Sequence, residues 1–392
     1  MNIGVFFGGK SPEHDVSIIT GLFIISELKK MPEYKFTPIY MGKDGEWYIN
    51  EKLGKLKFFR EKNSNEQLKK FNKFYIDIEE SRGKLVFKKK GLVGEKVQID
   101  LAIPAFHGEN GEDGTIQGLF EIFNIPYTGC DVASSAMTID KILTKLFYLG
   151  NNILTSKFVF FSGYDWNSEK VNIINRIKNE LKWPMFVKPP KLGSSIGISK
   201  VKNEKELEFA VEVALHYGDK VLVEESVENL KDITCAVLGG DNPMASLIQE
   251  SNFESGFLNY EDKYLKDGGT QTGKSEKSVI IPARLDEKTT KEAQELSVKI
   301  FKLFGCSGIA RIDFLYDSKE NKIYANEINT IPGTLYEHLW KASGVELGEI
   351  IKKIIDVAVE RQHRKKDITH TFQSDLLAQT DSIKLSIKGK EL

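Results

Sequence analysis

Short apolar runs and helix-type patterns alternate along the first third of the chain. Apolar runs cover residues 3–7, 36–41 and 101–106, and a helical pattern spans about 16–30. Runs of this length predict buried strands, and strands that alternate with a helix predict a small open α/β sheet. Such a sheet usually binds ligands in the loops that follow its strands, so those loops are the first candidates for a functional site.

Further along the chain, the pattern predicts two more units. The middle part indicates a helix at 134–149, a strand at 185–188, a Gly-rich turn at 192–197, a helix at 204–217 and a strand at 221–224. The last part indicates strands at 233–238, 278–281, 309–315 and 322–328, and helices at 288–304 and 347–361. We therefore predict an α/β fold, α+β in its later part, with units at 1–136, 137–226 and 227–366 and a polar tail at 367–392.

The amino-acid composition limits which partners the protein can have and in which cellular compartment it can work. The 392 residues include 55 Lys plus Arg and 56 Asp plus Glu, so the net charge is −1 and no overall field favours nucleic acid or an anionic membrane. Cys130, Cys235 and Cys306 are far apart and outside any CxxC pair, which argues against a disulfide framework or a zinc site. The chain shows neither a membrane-length apolar run nor a signal peptide, so we predict a cytoplasmic protein without nucleic-acid or membrane partners.

A lysine and a loop of small residues follow one another in the middle unit. Lys188 ends the predicted strand at 185–188, and the loop Gly193-Ser194-Ser195-Ile196-Gly197 comes shortly after it. Glycine and serine let backbone amides approach phosphate oxygens, and the lysine adds a positive charge. The pattern is typical of a phosphate site, although a surface turn beside a solvated lysine would use the same residues.

Four polar side chains lie on two neighbouring predicted strands. Arg311 and Asp313 share one face of their strand, and Glu327 and Asn329 share one face of the next. Asp313, Glu327 and Asn329 offer three oxygen ligands that suit Mg²⁺ held together with phosphates, and Arg311 beside them can neutralise a developing oxyanion. The alternative is a salt bridge on an exposed sheet face, but the phosphate-type loop near Lys188 favours the functional interpretation.

Charged residues also follow two strands of the N-terminal unit. Glu13 comes after the first strand, and His107 and Glu112 come after the strand at 101–106. Because ligands usually bind at such strand ends, Glu13 is a candidate partner for a substrate ammonium group. A lone histidine at a strand end is more often structural than functional, so His107 alone is a weaker candidate.

The segment 268–275 matches the phosphate-binding pattern GxxxxGK[ST] but stands in the wrong context. A working P-loop lies between a buried strand and the N-terminus of a helix. Here the preceding residues are polar, and a strand-like run at 277–281 followed by Pro282 comes next. We therefore interpret this segment as a mobile surface loop.

Several recognisable motifs occur in a fixed order along the chain. They are Phe7-Gly8-Gly9-Lys10-Ser11-Pro12-Glu13-His14-Asp15-Val16-Ser17, His107-Gly108-Glu109-Asn110-Gly111-Glu112-Asp113-Gly114, Gln117-Gly118, Pro126-Tyr127-Thr128-Gly129, Asp140-Lys141 with Lys145, Val187-Lys188-Pro189, residues 193–197 and Asn326-Glu327-Ile328-Asn329-Thr330. Together they resemble the D-alanine–D-alanine ligase family, over about residues 2–361. The resemblance implies an ATP-grasp enzyme with a substrate-binding domain at 1–136, a central lid at 137–226 and a catalytic domain at 227–366, with ATP between the last two.

The resemblance also assigns roles to individual residues. ATP would be bound by two phosphate lysines, a hinge, a ribose-binding acid and a loop lysine, namely Lys141, Lys188, Glu224, Glu225, Val227, Asp232 and Lys263. Two Mg²⁺ (or Mn²⁺) ions would be held by Asp313, Glu327 and Asn329. The amino-acid substrate and the tetrahedral intermediate would be bound by Glu13, Ser194, Tyr264, His107, Arg311 and the backbone N–H of Gly333. The implied reaction joins two D-alanines through an acyl phosphate for peptidoglycan synthesis, beneath a closing loop at 260–264.

The sequence departs from the family after Gly333. About four residues are missing there, including a serine that binds the carboxylate of the second D-alanine. Either Thr334 replaces that serine, or the second pocket accepts a different amine. Two further alternatives are a nucleotide-binding protein without ligase activity and a Rossmann oxidoreductase, which would need the GxGxxG motif that this chain lacks. Dimers are common in the family, so a homodimer is a further expectation.

Overall fold

The computed structural model describes residues 1–91, 94–251, 279–369 and 371–374. In these parts the chain forms three β-sheets, whose strands lie within residues 2–104, 158–225 and 230–329. In the same parts, no helix combines the length and the apolar composition that crossing a bilayer requires.

The first sheet has seven strands and is mixed. Its strands are β1 (Asn2–Gly8), β2 (Lys35–Met41), β3 (Trp47–Ile49), β4 (Lys73–Ile76), β5 (Leu85–Lys89), β6 (Lys96–Ile99) and β7 (Leu101–Pro104). The accompanying helices are α1 (His14–Leu28), α2 (Leu56–Arg60), α3 (Ser64–Leu68) and α4 (Thr115–Ile122). The strand order is β6-β5-β4-β3-β2-β1-β7, with β1 parallel to β2 and β7, which confirms the predicted open α/β sheet. The antiparallel strands β3 to β6 were not predicted, because they are only three to five residues long and lie in a polar, Lys-rich stretch.

Two helices, not one, connect the first sheet to the second. They are α5 (Val132–Ile139) and α6 (Lys141–Gly150), so the single helix predicted at 134–149 is wrong. Asp140 has an extended backbone (φ −89°, ψ 104°), and its side chain accepts hydrogen bonds from the N–H groups of Ile142 and Leu143. Asp140 therefore caps the second helix, and Lys141 begins it.

The second sheet is a four-stranded antiparallel unit with one buried face. Its elements are β8 (Phe158–Ser162), α7 (Gly163–Glu180), β9 (Met185–Lys188), β10 (Ser199–Val201), α8 (Glu204–Leu215) and β11 (Lys220–Glu225), and the strand order is β10-β9-β11-β8. Val187 and Val223 pack into the core under the helices. Since successive side chains of a strand alternate between faces, Lys188 and Glu224 stand on the opposite face.

The third sheet has five antiparallel strands in the described parts. Its strands are β12 (Leu230–Gly239), β13 (Met244–Ser251), β14 (Val279–Ile280), β15 (Gly308–Asp317) and β16 (Lys322–Asn329), in the order β14-β13-β12-β15-β16. Its helices are α9 (Glu287–Leu303), α10 (Glu337–Ala342) and α11 (Leu347–Lys366). Cys235, Ile312 and Phe314 belong to the core beneath α9, so the intervening residues Thr234 and Asp313 face the other way.

The last helix ties the C-terminal part to the first sheet. Apolar side chains of α11, α1 and β1 share one hydrophobic core. Arg361 on α11 donates hydrogen bonds to the carbonyl oxygens of Gly129 (2.8 Å) and Tyr127 (2.6 Å). Its guanidinium also lies 4.3 Å from the centre of the Tyr127 ring, an arrangement that adds a cation–π attraction. These contacts fix the N-terminal unit against the third sheet.

Candidate active site

A cleft lies between the second and third sheets. Side chains of both sheets line it, with Phe186 and Glu224 from the second sheet and Arg311 and Asp313 from the third. Apolar side chains that suit a flat base line part of it, namely Phe186, Ile198, Leu230 and Leu315. The residues predicted to bind ATP line the same cleft, namely Lys141, Lys188, Glu224, Glu225, Val227 and Asp232. Lys263, the remaining member of the predicted set, lies outside the described residues.

Three charged side chains form a buried network beside the cleft. Lys188 and Glu224 make an ion pair, and Lys145 Nζ lies 3.0 Å from Glu224 Oε2. Lys145 also donates hydrogen bonds to the hydroxyls of Thr155 (2.9 Å) and Ser156 (2.8 Å). Burial alone would raise the pKa of Glu224, but the two ammonium groups outweigh it and lower the pKa to about 2. Glu224 therefore stays ionised and holds Lys188 at the edge of the cleft.

A row of polar side chains crosses the face of the third sheet that borders the cleft. Strand pairing places Thr234, Asp313 and Glu327 side by side, and it places Arg311 opposite Asn329. Arg311 donates from Nε to Asp313 Oδ1 (2.9 Å) and from Nη2 to Oδ2 (2.6 Å). The ion pair is buried, with Arg311 5% and Asp313 8% exposed. The alternative of a salt bridge on an exposed sheet face is therefore wrong.

The oxygen atoms of this row are chemically suited to a magnesium ion. Asp313 and Glu327 face each other on neighbouring strands, and Asn329 Nδ2 lies 3.1 Å from Asp313 Oδ2. Within the described residues, no three His, Cys, Asp or Glu side chains are placed to hold a metal by themselves. The two carboxylates would thus act with the Asn329 amide and with phosphate oxygens, a combination that Mg²⁺ commonly accepts.

A smaller cavity adjoins the cleft on the side of the first sheet. Both cavities are lined by Lys141, Gly193, Ser194 and Arg311. The smaller one adds residues from loops after β1, β7 and β16, namely Glu13, His107, Glu112 and Gly333. The Ser194 hydroxyl donates a hydrogen bond to Glu13 Oε1. Two residues to which the family resemblance gives a shared role are therefore in direct contact, although 181 positions separate them.

Burial makes two groups of the smaller cavity neutral at neutral pH. Burial, and then the charge of Arg311, lowers the pKa of His107 to about 4, and its Nε2 lies 2.9 Å from the Thr20 hydroxyl. Burial, and then the charge of Glu13, raises the pKa of Glu112 to about 8. Glu112 thus adds no full second negative charge beside Glu13, which suits a site for one ammonium group.

Replacing Glu112 by glutamine should stabilise the fold increasingly as the pH rises. The folded pKa of Glu112 is about 8 against an ordinary 4.5, so the native protein loses stability as the pH rises between those values. Glutamine is neutral throughout, and its amide oxygen can still accept the hydrogen bond from the Gly108 N–H, 2.8 Å long in the native protein. Urea unfolding of both proteins at pH 5 and pH 8 measures this effect. A stability difference that does not change with pH would contradict it.

The shortened loop after Gly333 leaves the side chain of Thr334 away from both cavities. The Thr334 hydroxyl donates to the carbonyl oxygen of Gly333 at 2.8 Å, and its N–H donates to the Thr20 hydroxyl at 3.2 Å. Gly333 borders the smaller cavity, whereas Thr334 lines neither cavity in the described structure. Its predicted role in substrate binding stays a prediction.

Some residues of the site had no predicted role. Lys145 belongs to a quoted motif but was given no role, and none was given to Thr20, Thr234, Gln249 or Tyr336. A polar residue within the apolar run at 233–238 was the available signal for Thr234. Tyr264, the loop at 260–264 and the segment 268–275 lie outside the described residues.

The fold and the cleft define the class of protein. Two sheets that line a common cleft, joined to an N-terminal α/β sheet, make this chain an ATP-grasp enzyme. Residues 2–130 match the family model described as D-ala D-ala ligase N-terminus, and residues 149–356 match the one described as D-ala D-ala ligase C-terminus. The chain belongs to the D-alanine–D-alanine ligase family.

Individual relatives are similar over nearly their whole length. The D-alanine–D-alanine ligase of Thermosipho melanesiensis is 41% identical over 371 residues, which cover 94% of this chain and 96% of the relative. The solved D-alanine-D-alanine ligase from Coxiella burnetii has a TM-score of 0.75 and 30% identity, covering 94% of this chain and 97% of that one. The VanG D-Ala:D-Ser ligase from Enterococcus faecalis has a TM-score of 0.76 and 31% identity, covering 91% and 99%.

Proposed function

We propose that this protein joins two D-alanines into D-alanyl-D-alanine, using ATP, for the synthesis of peptidoglycan precursors. Family membership and the names of the relatives support this reaction. The observation that carries it is the junction of the two cavities. Arg311 and Lys141 border both the cleft between the second and third sheets and the smaller cavity that Glu13 lines, so a phosphoryl group and an amino acid can meet there.

The chemistry explains why the two cavities must meet. A free carboxylate is a poor electrophile because its charge repels nucleophiles. One carboxylate oxygen of the first D-alanine attacks the γ-phosphorus of ATP, and ADP leaves. The amine of the second D-alanine attacks the resulting acyl phosphate, phosphate leaves with the bonding electrons, and the amine loses a proton. Phosphoryl transfer of this kind needs positioning and positive charge more than covalent catalysis.

The nucleotide side of the site follows from the cleft. Lys141 and Lys188 supply positive charge for the phosphates, and Glu224, Glu225, Val227 and Asp232 hold the base and the ribose. By the family resemblance, Lys263 would also contact the phosphates. Mg²⁺ or Mn²⁺, two ions in our proposal, would be bound by Asp313, Glu327 and Asn329 and would neutralise phosphate charge.

The amino-acid side follows from the smaller cavity. Glu13 receives the ammonium group of the first D-alanine, and the hydrogen bond from Ser194 holds the carboxylate of Glu13 in place. By the family resemblance, Tyr264 would be the third member of this trio. His107 lines the same cavity as a neutral group. Arg311 and the N–H of Gly333 donate to the oxyanion that forms when the second amine attacks, where preorganised donors act most strongly.

A second candidate is a ligase that couples D-alanine to a different amino acid. The shortened loop after Gly333 favours it, and the VanG D-Ala:D-Ser ligase shows a relative of similar fold with such a name. A nucleotide-binding protein without ligase activity is the candidate of another class, and it has no use for the Glu13 cavity. Amino-acid partners, a cytoplasmic location, domain boundaries at residues 136 and 226, and a homodimer all remain proposals.

The purified protein should release phosphate from ATP when D-alanine is the only amino acid, and the product should have the mass of D-alanyl-D-alanine. The expected reaction requires Mg²⁺, and coupled phosphate detection with mass spectrometry measures both products. Phosphate release without the dipeptide would favour the second candidate, which a screen of amino acids with D-alanine as donor would then identify. Nucleotide binding without phosphate release under all these conditions would leave the non-ligase candidate.

A further inference from the structure

Three consecutive residues after Gly333 have left-handed backbone conformations. The φ angles of Thr334, Leu335 and Tyr336 are +49°, +54° and +54°. Each such residue other than glycine costs on the order of 1–2 kcal/mol. Backbone of this kind persists where surrounding contacts fix it, and it is often found at functional sites. The contacts of Tyr336, the last of the three, show what this backbone positions.

The Tyr336 side chain lies on Arg311 at the wall of the cleft. The guanidinium carbon of Arg311 is 5.1 Å from the centre of the Tyr336 ring, a cation–π contact. Tyr336, Arg311 and Gln249 all line the cleft, and Arg311 also borders the smaller cavity, so the Tyr336 ring lies beside the residue at which the two cavities meet. The shortened loop therefore places the Tyr336 side chain beside the guanidinium of Arg311, whose positive charge stabilises the oxyanion in the proposed reaction.

A directed chain of hydrogen bonds leaves the Tyr336 hydroxyl as a donor. Burial, and then Arg311, lowers the pKa of His338 to about 4, so His338 is neutral. Its Nε2 lies 2.7 Å from Gln249 Oε1, an oxygen that can only accept, so this nitrogen carries the proton. Gln249 Nε2 then donates to the Tyr336 oxygen at 3.2 Å. The hydroxyl proton of Tyr336 is directed away from that bond.

Among the described residues, neither the hydroxyl proton of Tyr336 nor the Nη1 group of Arg311 takes part in a hydrogen bond. Arg311 binds Asp313 through Nε and Nη2, and within the described parts of the chain its Nη1 makes no hydrogen bond. In the same parts the Tyr336 hydroxyl accepts from Gln249 but donates to no acceptor. Burial raises the pKa of Tyr336 to about 12, so the hydroxyl keeps its proton at neutral pH. A neutral donor and a cationic donor thus lie side by side on the cleft wall.

We propose that the Tyr336 hydroxyl donates a hydrogen bond to the carboxylate of the second amino-acid substrate, beside the positive charge of Arg311. This inference rests on the proposed ligase function, and it gives Tyr336 the specificity role predicted for Thr334. A carboxylate that accepts from a buried phenol and lies near a guanidinium gains charge-assisted hydrogen bonding. The Thr334 hydroxyl already donates its hydrogen bond to the carbonyl oxygen of Gly333. Tyr336 therefore gives the site a preference for a second amine that carries a carboxylate.

Tyr336→Phe removes the hydroxyl and keeps the ring on Arg311, so it separates carboxylate binding from the positioning of Arg311. The test holds D-alanine as donor and compares two second substrates, D-alanine and D-alaninol, in which a neutral CH₂OH replaces the carboxylate. Products are measured by mass spectrometry. We expect the variant to lower kcat/KM for D-alanine as second substrate by about 10- to 100-fold, mainly through KM, because a hydrogen bond to a charged group is lost. Activity with D-alaninol should stay unchanged.

Tyr48→Phe is a matched control, because the Tyr48 hydroxyl donates to Asp44 at 2.9 Å in the first sheet, away from both cavities. It should leave both activities at the wild-type level. An equal loss with both second substrates in Tyr336→Phe would overturn the inference and reduce Tyr336 to a support for Arg311. A carboxylate-selective loss in Thr334→Ala but not in Tyr336→Phe would also overturn it. If the wild-type protein forms no product with any amine, the proposed function itself fails, and this inference fails with it.

Discussion

Replacing Arg311 by lysine should lower kcat by about 100- to 1000-fold while nucleotide still binds, the usual cost of losing one preorganised donor to a developing oxyanion. Lysine keeps the positive charge next to Asp313, so the buried carboxylate retains a partner. It lacks the planar guanidinium group through which Arg311 binds Asp313 with Nε and Nη2 while Nη1 stays available for a further hydrogen bond. Phosphate release with D-alanine measures kcat, and calorimetric titration with a non-hydrolysable ATP analogue measures nucleotide affinity.

Arg284→Lys provides the control for this substitution. Arg284 pairs with Glu250 at the edge of the same sheet, and its side chain is 61% exposed. Its replacement should leave kcat unchanged, since Arg284 and Glu250 border neither cavity. If Arg311→Lys kept kcat within about threefold of the wild-type value, Arg311 would have no part in stabilising the oxyanion.

Replacing Glu224 by glutamine should lower the free energy of unfolding by about 3–5 kcal/mol at neutral pH, because it leaves two buried ammonium groups without their counter-ion. Lys145 and Lys188 both pair with this carboxylate, and the side chains of Lys145 and Glu224 are each 2% exposed. The folded pKa of Glu224 is about 2 against an ordinary 4.5, so its stabilising effect is present above pH 4.5 and is lost as the pH falls toward 2. Denaturant unfolding of both proteins at pH 7 and pH 3 should show the difference shrinking in acid.

Glu204→Gln is the matched control for this prediction. The Lys178–Glu204 pair has a similar distance, 2.8 Å, but both side chains are more than 40% exposed. Surface pairs of this kind contribute on the order of a few tenths of a kcal/mol, so unfolding of this variant should nearly match the wild type. A loss in Glu224→Gln no larger than in Glu204→Gln would mean that the buried network adds little to stability.

The sequence predicted the parts of the site that depend on strand periodicity. The predicted strands at 309–315 and 322–328 are neighbours in the sheet, with Asp313 directly opposite Glu327, because side chains two positions apart share a face. The contact between Glu13 and Ser194 agrees with the family resemblance. Predicted roles of these residues in binding and catalysis remain proposals.

Other features depend on contacts between distant elements and could not be predicted from local pattern. A continuous apolar periodicity hid the helix break, because a single capping side chain at Asp140 causes it. The ion pair between Lys145 and Glu224 joins a helix to a strand in the second sheet. Neither segment's sequence indicates that these two side chains meet. Tyr336 becomes part of the cleft only through three left-handed residues, a conformation that non-glycine residues rarely adopt and that no propensity predicts.

The position of Arg361 limits how far the chain can be shortened from its C-terminal end. The matched C-terminal family model ends at residue 356, and every residue with a proposed role lies before that point. Arg361 lies five positions later, and it binds the carbonyl oxygens of Tyr127 and Gly129, next to the end of the matched N-terminal model at residue 130. A chain that ended at residue 356 would keep every residue with a proposed chemical role. It would lose the hydrogen bonds from Arg361 that join the C-terminal part to the N-terminal sheet. The contact between the N-terminal and C-terminal parts therefore requires the chain at least as far as Arg361, beyond the residues with a proposed chemical role.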